Sequence, residues 1–426
     1  MAKQTKNRKP VSSFSKGLIC LVLLCALTVF VSCLGLTGMK LDKDGVNVLL
    51  PWVPTSSSNW PASLPLNRVL GGGNYVEYTV ALEDGADINA VAKAVSDRLD
   101  GVGESDKAVT VKGTDTIRVE MRDMETARLA SLRSLVTMSA HFQFQDAEGN
   151  VVLTEKDVKS AILTMNSNRT TYLVNATITD EGVKKLEEAG VSYVSVYLDG
   201  EQVSSFASIN GHEVSMSFLS SNFNTASNVA YLLRTGAVDA TLTMKENGKV
   251  DASASTVKTV VLLVAAVLLV CAAVYMIVKG KLTGISGIWM VWCMVLLGLF
   301  FVATIVVPTT YVLSTGCLIA ALLGILLAVY TAVTRTDAIG AQIKEGYGPK
   351  QASKLGFRTA AKETWIVHGG VLALALILMI FGFSRPAGYT LFAFVVASAI
   401  SVVLMRAFQA CFTAMSNKAS LFGKTK

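Results

Sequence analysis

Four side chains of this 426-residue chain sit where proton chemistry in a membrane would need them: Asp337, Glu363, His368 and Arg406 lie in or beside long apolar segments of the C-terminal half. An ionisable group surrounded by hydrocarbon is costly, rare and normally functional. His368 has the intrinsic pKa of a proton switch; the competing reading is a histidine near a helix start, hydrogen-bonded at headgroup level. Asp337 fits a solvated interfacial carboxylate, and Arg406 can snorkel to the surface or meet a partner. Glu363 directly precedes the segment that holds His368. Other chemistry is poorly supplied. GxSxG, HExxH and Cys/His pairs are absent, and His141 and His212 have no spaced partner, so the sequence reads as a non-enzyme without metal or cofactor.

These side chains are positioned by apolar stretches long enough to cross a bilayer, which takes about twenty helical residues. Spans are expected near 17–37, 259–278, 284–306, 311–333, 365–383 and 388–412. Hydrophobic residues make up 52% of the chain, so a soluble protein is excluded. The net charge of +7 is not a nucleic-acid signature, because it is gathered into particular segments. Lys3, Lys6, Arg8, Lys9 and Lys16 precede the first span, Lys279 and Lys281 follow the second, six cations from Arg335 to Lys362 follow the fourth, and Lys418, Lys424 and Lys426 end the chain. Alternating spans put all four segments on one side. By the positive-inside rule that side is cytoplasmic. The expected order is a basic tail (1–16), a first span (17–37), an extracytoplasmic domain (38–258), a five-helix membrane domain (259–412) with a cytoplasmic loop over 334–364, and a cytoplasmic tail (413–426). The loop reads either as an amphipathic helix contacting lipid headgroups or a partner protein or as a solvated connector.

All seven cysteines lie in or beside the spans, so the exported domain must hold together without disulfides. Phe30-Val31-Ser32-Cys33 loosely matches a lipoprotein processing site. The apolar stretch continues through Leu34-Gly35-Leu36, however, which favours an uncleaved anchor. Residues 51–65, with four prolines, read as a linker. Alternation of Val76, Tyr78, Val80 and Leu82 predicts a strand after the turn at Gly71-Gly72-Gly73. Ile88, Val91, Val95 and Leu99 predict a helix. Strands at 117–121 and 142–144 flank a helix through Leu129, Leu132 and Leu135. A second unit follows: an extended run over 172–178, a helix capped at Thr179-Asp180-Glu181, a strand through Val194, Val196 and Leu198, and a helix over 226–233 that stops at Arg234-Thr235-Gly236. This rhythm is α+β.

Six strings occur in the order found in one family: GTDTIRVEM (113–121), VVLTEKDVKSA (151–161), ITDEGVKKLEE (178–188), VYLDGEQVSS (196–205), NVAYLLRTGAVDATL (228–242) and GYGPKQASKLGF (346–357). Over residues 66–412 the chain resembles SecD of the bacterial SecD–SecF accessory complex of the Sec preprotein translocase. The resemblance implies a six-helix membrane half of the resistance-nodulation-division type. It also implies an α+β extracytoplasmic domain with a ferredoxin-like base (about 71–145 and 214–245) and an inserted head (about 146–213). Its implied partners are a SecF-like membrane subunit, the Sec channel and its associated factors, unfolded preprotein and membrane lipid. The implied location is the cytoplasmic membrane.

The family's fourth span carries an Asp-x-Asn proton-relay motif. Counting back without gaps from GYGPKQASKLGF puts those positions at Tyr330 and Ala332. Alanine is inert, and a tyrosine of pKa about 10 stays protonated at neutral pH. Asp337, seven residues on, shares a helix face with Tyr330. The expectation is a SecD-like subunit that handles preprotein, with proton coupling absent or supplied by its partner. A diverged membrane scaffold and a small-molecule transporter half of the same superfamily are the alternatives.

Overall fold

The structure, a computed structural model, describes residues 12–37, 64–83, 86–166, 170–306, 312–382 and 384–423. Most of the basic tail (1–11) and of the proline-rich linker (51–63) lies outside the described residues, as do Lys424 and Lys426. The chain divides into two compact units, Gly71–Ala252 and a second formed by Met1–Leu70 with Ser253–Lys426.

In the first unit, β1 (Gly73–Leu82), α3 (Ile88–Gly101), β2 (Lys107–Lys112), β3 (Thr116–Arg122), α4 (Thr126–Thr137) and β11 (Ala240–Val250) form a βαββαβ base; α2 is the short helix Arg68–Gly71 just before it. The sheet order is β11-β1-β3-β2 and every pairing is antiparallel, which is ferredoxin-like topology. Alternation places Val76, Tyr78 and Val80 of β1 in the core, where Val91, Val95 and Leu99 of α3 and Ile117, Val119 and Met121 of β3 meet them. The other face of β1 carries charge: Glu77 accepts from Lys112 Nζ at 2.5 Å and from Arg118 Nη1 at 3.2 Å.

The Lys112 contact, helped by Arg118, holds the Glu77 carboxyl below the ordinary glutamate range. A carboxyl depressed in the folded state adds stability that is present above its unfolded pKa, roughly 4.3, and lost as pH falls through the folded value. Glu77→Gln should therefore flatten the acid limb of the stability–pH curve below about pH 4.3. Denaturation midpoints measured from pH 7 to pH 2 check this, and an unaltered acid limb would show that the pair contributes nothing.

Between α4 and β11 the chain leaves the base and builds a second sheet from β4 (Phe142–Gln145), β5 (Val151–Thr154), β6 (Val158–Met165), β7 (Thr171–Ile178), β8 (Tyr193–Leu198), β9 (Glu201–Asn210) and β10 (Glu213–Leu219). The order is β5-β4-β8-β9-β10-β7-β6. Two helices accompany it. In α5 (Asp180–Ala189) the Thr179 hydroxyl accepts from Gly182 N, and α6 (Phe223–Thr235) contributes Ala226, Val229, Leu232 and Leu233 to this core. The sheet boundary differs from the sequence expectation. β4 and β10, expected in the base, belong to the inserted sheet, because β4 pairs with β5 and β8, and β10 with β7 and β9. The alternation of Phe142 and Phe144 marks a half-buried strand without naming its neighbour.

In the second unit, α1 (Ser13–Thr37), α7 (Ser255–Gly280), α8 (Leu282–Phe301, extended by a π turn over Val302–Val306), α9 (Thr315–Lys344), α10 (Pro349–Ile380) and α11 (Arg385–Met415) are six helices long and apolar enough to cross a membrane. α11 is the most enclosed of them, while α1 and α7 have almost no buried residues. α1 runs unbroken through Cys33. Residues 334–364 are not a loop: α9 and α10 continue as a helical hairpin joined at 345–348. The apolar window ends at Arg335, but the buried face does not. Ile339 and Ile343 of α9 pack with Ala352 and Phe357 of α10, and a Cβ at Gly356 would lie 2.7 Å from Ile339 N. Among the described residues, hydrogen bonds tie the C-terminal end of the chain to other helices. Lys281 Nζ donates to Ser420 O at 2.5 Å, and Ser13 Oγ donates to Ala414 O at 3.3 Å.

A polar string through the membrane helices

Thr331, Arg335 and Ile339 recur four residues apart on α9, and helical periodicity turns that whole face into the bundle. Arg335 is thereby carried inside, only 3% exposed. Its guanidinium lies 5.2 Å over the Phe357 ring, and Nη2 donates to Thr364 Oγ1 of α10 at 2.9 Å. One turn further along α10, His368 Nδ1 lies 2.8 Å from Thr364 O and its Nε2 lies 3.0 Å from Ser398 Oγ of α11. Arg335, Thr364, His368 and Ser398 thus form a continuous polar string across α9, α10 and α11. His368 is 4% exposed, nineteen residues into α10, so it belongs to the bundle interior and not to a helix start. The string contains no carboxylate. Among the described residues Arg335 Nε has no hydrogen-bond partner, and the guanidinium is within electrostatic reach of another cation, Arg406.

The other expected site residues separate from this string. Tyr330 donates to Glu363 Oε1 at 2.5 Å, an exposed contact between α9 and α10. Asp337 Oδ2 accepts from Tyr275 OH of α7 at 2.9 Å. Tyr330 and Asp337 share one side of α9, yet their partners stand on different helices. Ala332 is fully buried against Gly287 of α8, in well-packed surroundings. Arg406 is exposed near the end of α11. Arg335, in the sequence one of the cations that follow the fourth span, is a buried member of the bundle. Its spacing of three from Ala332 and seven from Ala328, both apolar, was the available sign that it faces inward.

In the first unit, Glu83, His141 and Asp239 each place one ligand atom within 4.8 Å of the others, the one such group among the described residues. The His141 ring already lies between carboxylates, 3.9 Å from Glu83 Oε1 and 3.7 Å from Glu155 Oε1.

No family model and no curated protein matches the sequence. Solved structures do match. The crystal structure of SecDF in the super-membrane-facing form aligns with a TM-score of 0.69 at 19% identity, over 94% of this chain. The fold is that of SecDF. A second crystal structure, of SecDF from Thermus thermophilus, described as a translocon-associated membrane protein, aligns with a TM-score of 0.51 at 18% identity over 92% of the chain. This chain spans 58% of the length of each of those SecDF chains. A match over 94% of the chain takes in both the two-sheet unit and the six-helix unit.

Proposed function

We propose that this chain is a SecD-like accessory subunit of Sec protein translocation. It works beside a SecF-like membrane subunit and the Sec channel in the cytoplasmic membrane, with both termini inside and the α+β domain outside. The observation that carries the reading is the SecDF fold over nearly the whole chain, membrane and soluble units together. The soluble unit offers a surface suited to unfolded preprotein. Tyr193 and Phe206 stack at 5.0 Å and are 47% and 59% exposed, an aromatic platform able to take apolar side chains of a passing chain.

Proton coupling in this reading comes from the partner. Tyr330 and Ala332 replace the acid and amide, and the string through His368 holds no carboxylate to exchange protons with it. His368 then acts as a structural bridge between α10 and α11, and an amide can replace it. His368→Asn should leave export within about twofold of wild type, whereas a proton-carrying imidazole contributes roughly 10²–10⁴-fold. Export into inverted membrane vesicles reads the difference, and a hundredfold loss would place the proton path in this subunit. The role itself is tested by gentle affinity purification from native membranes. Co-recovery of a SecF-like subunit and the Sec channel is expected. Recovery of the chain alone would favour the diverged scaffold, a reading supported by the tight burial of Ala332.

A further inference from the structure

The start of α1, the start of α10 and the end of α11 enclose a cavity of about 680 Å³. Lys350, Lys354 and Arg406 line it together with the hydroxyls of Ser13, Ser353 and Thr413, and no acidic residue does. Among the described residues none of these three cations takes part in an ion pair. Three like charges bordering one hollow repel each other, and an anion held between them relieves that more than water alone does. Lys350 and Lys354 stand one turn apart on the same face of α10, within its first two turns, where the helix dipole adds to the positive field. The carbonyl end of α11 opposes them with a fractional charge of about −0.5, against three full positive charges.

The surroundings specify the kind of anion. Ser13 on the cavity wall is the first residue of α1, and Phe14, Leu18 and Ile19 continue from it as an apolar strip, 52%, 41% and 56% exposed. The wall is fixed in place: a Cβ at Gly17 would come within 2.9 Å of Cys411 O and Met415 Cγ, so α1 lies tight against the end of α11. A cationic hollow at the head of an exposed apolar strip matches an amphiphile with a phosphate head. We propose that this cavity binds the phosphate headgroup of an acidic phospholipid, its acyl chains lying along α1. The site stands whether or not the translocation reading holds, since it rests on the charges and the strip alone.

The test is native mass spectrometry of the full chain in non-ionic detergent, titrated separately with phosphatidylglycerol, phosphatidylcholine and inorganic phosphate. Phosphatidylglycerol should be retained at least about tenfold more tightly than phosphatidylcholine. The triple variant K350Q/K354Q/R406Q should weaken it on the order of 100-fold, while K350R/K354R/R406K should keep it. Lys354 is exposed, so K354E leaves the fold intact and should by itself weaken retention about tenfold or more. Equal retention of the two lipids, or undiminished phosphatidylglycerol binding by K354E, would overturn the proposal. Displacement of the lipid by millimolar inorganic phosphate would overturn the lipid assignment and leave a free-anion site.

Discussion

Replacing Arg98 by alanine should destabilise the soluble unit by about 3–5 kcal/mol, because it strands charge-bonded carbonyls in a dry interior. Arg98 is fully buried. Its guanidinium donates to Met138 O, to Ser139 O at 3.0 Å and to Gly236 O at 3.2 Å. Those carbonyls flank the two crossings between base and inserted sheet, the outgoing one at 138–141 and the return at 236–238. The outgoing crossing is strained, with non-glycine Ala140 at φ 66°, and Asp199 secures it from the other side by accepting from Ala140 N at 3.2 Å and His141 N at 2.9 Å. Burial pushes the Arg98 guanidinium down to about 10, which still leaves it charged at neutral pH. Loss of this clamp frees both crossings at once. Thermal unfolding of the purified protein should show the transition of the soluble unit falling by about 10 °C. A shift under 2 °C would mean that water or relaxed backbone satisfies the carbonyls. Arg98→Lys should recover only part of the loss, since an ammonium lacks the planar fork that spans three acceptors.

A loss of similar size is expected in the membrane unit from Phe394→Ala, about 3–5 kcal/mol. Phe394 of α11 is 4% exposed and fills the space between α8 and α9 that two glycines open. A Cβ at Gly298 of α8 would come within 2.8 Å of the ring, and one at Gly324 of α9 would overlap Phe394 Cβ. Helices in lipid associate through such close packing, because hydrocarbon gives no hydrophobic drive between them. Truncating the ring leaves a cavity shared by three helices. Gly298→Ala alone should also destabilise, by overpacking against the ring. The double variant should be milder than the sum of the two, since the added methyl enters the emptied space. Reversible unfolding of the reconstituted protein measures all three, and strict additivity would show that the two positions do not touch.

These two residues also show what could be read from residue order. Phe394 and Gly324 each fell within an expected span, since twenty apolar residues in a row signal a membrane helix whatever its neighbours. That Gly324 receives this particular ring depends on α9 and α11 touching, which no local pattern encodes. Arg98 sat in an expected amphipathic helix, but its role needed the crossings at 138–141 and 236–238, which are far away in sequence. Phe142 and Phe144 were legible as an inward face and not as members of the inserted sheet, because their pairing with Leu198 and Val196 is not a local pattern. The polar string was half visible. His368 announced itself as a lone ionisable residue in an apolar stretch. Arg335 did not, because a charge at the end of an apolar stretch reads as the edge of a span, while helical phase carries its side chain inward.

Sequence alone determined what depends on local composition and period: six spans, the gathering of positive charge into alternate segments and the α+β rhythm. The tertiary structure decided which helix faces meet. It brought Arg335, Thr364, His368 and Ser398 from three helices into hydrogen-bonding distance, parted Tyr330 from Asp337, and gathered Lys350, Lys354 and Arg406 around one hollow. The physical reason is that hydropathy and helical phase act within a few turns of chain, whereas contact between helices is fixed by packing, where a glycine's missing Cβ decides how closely two backbones approach.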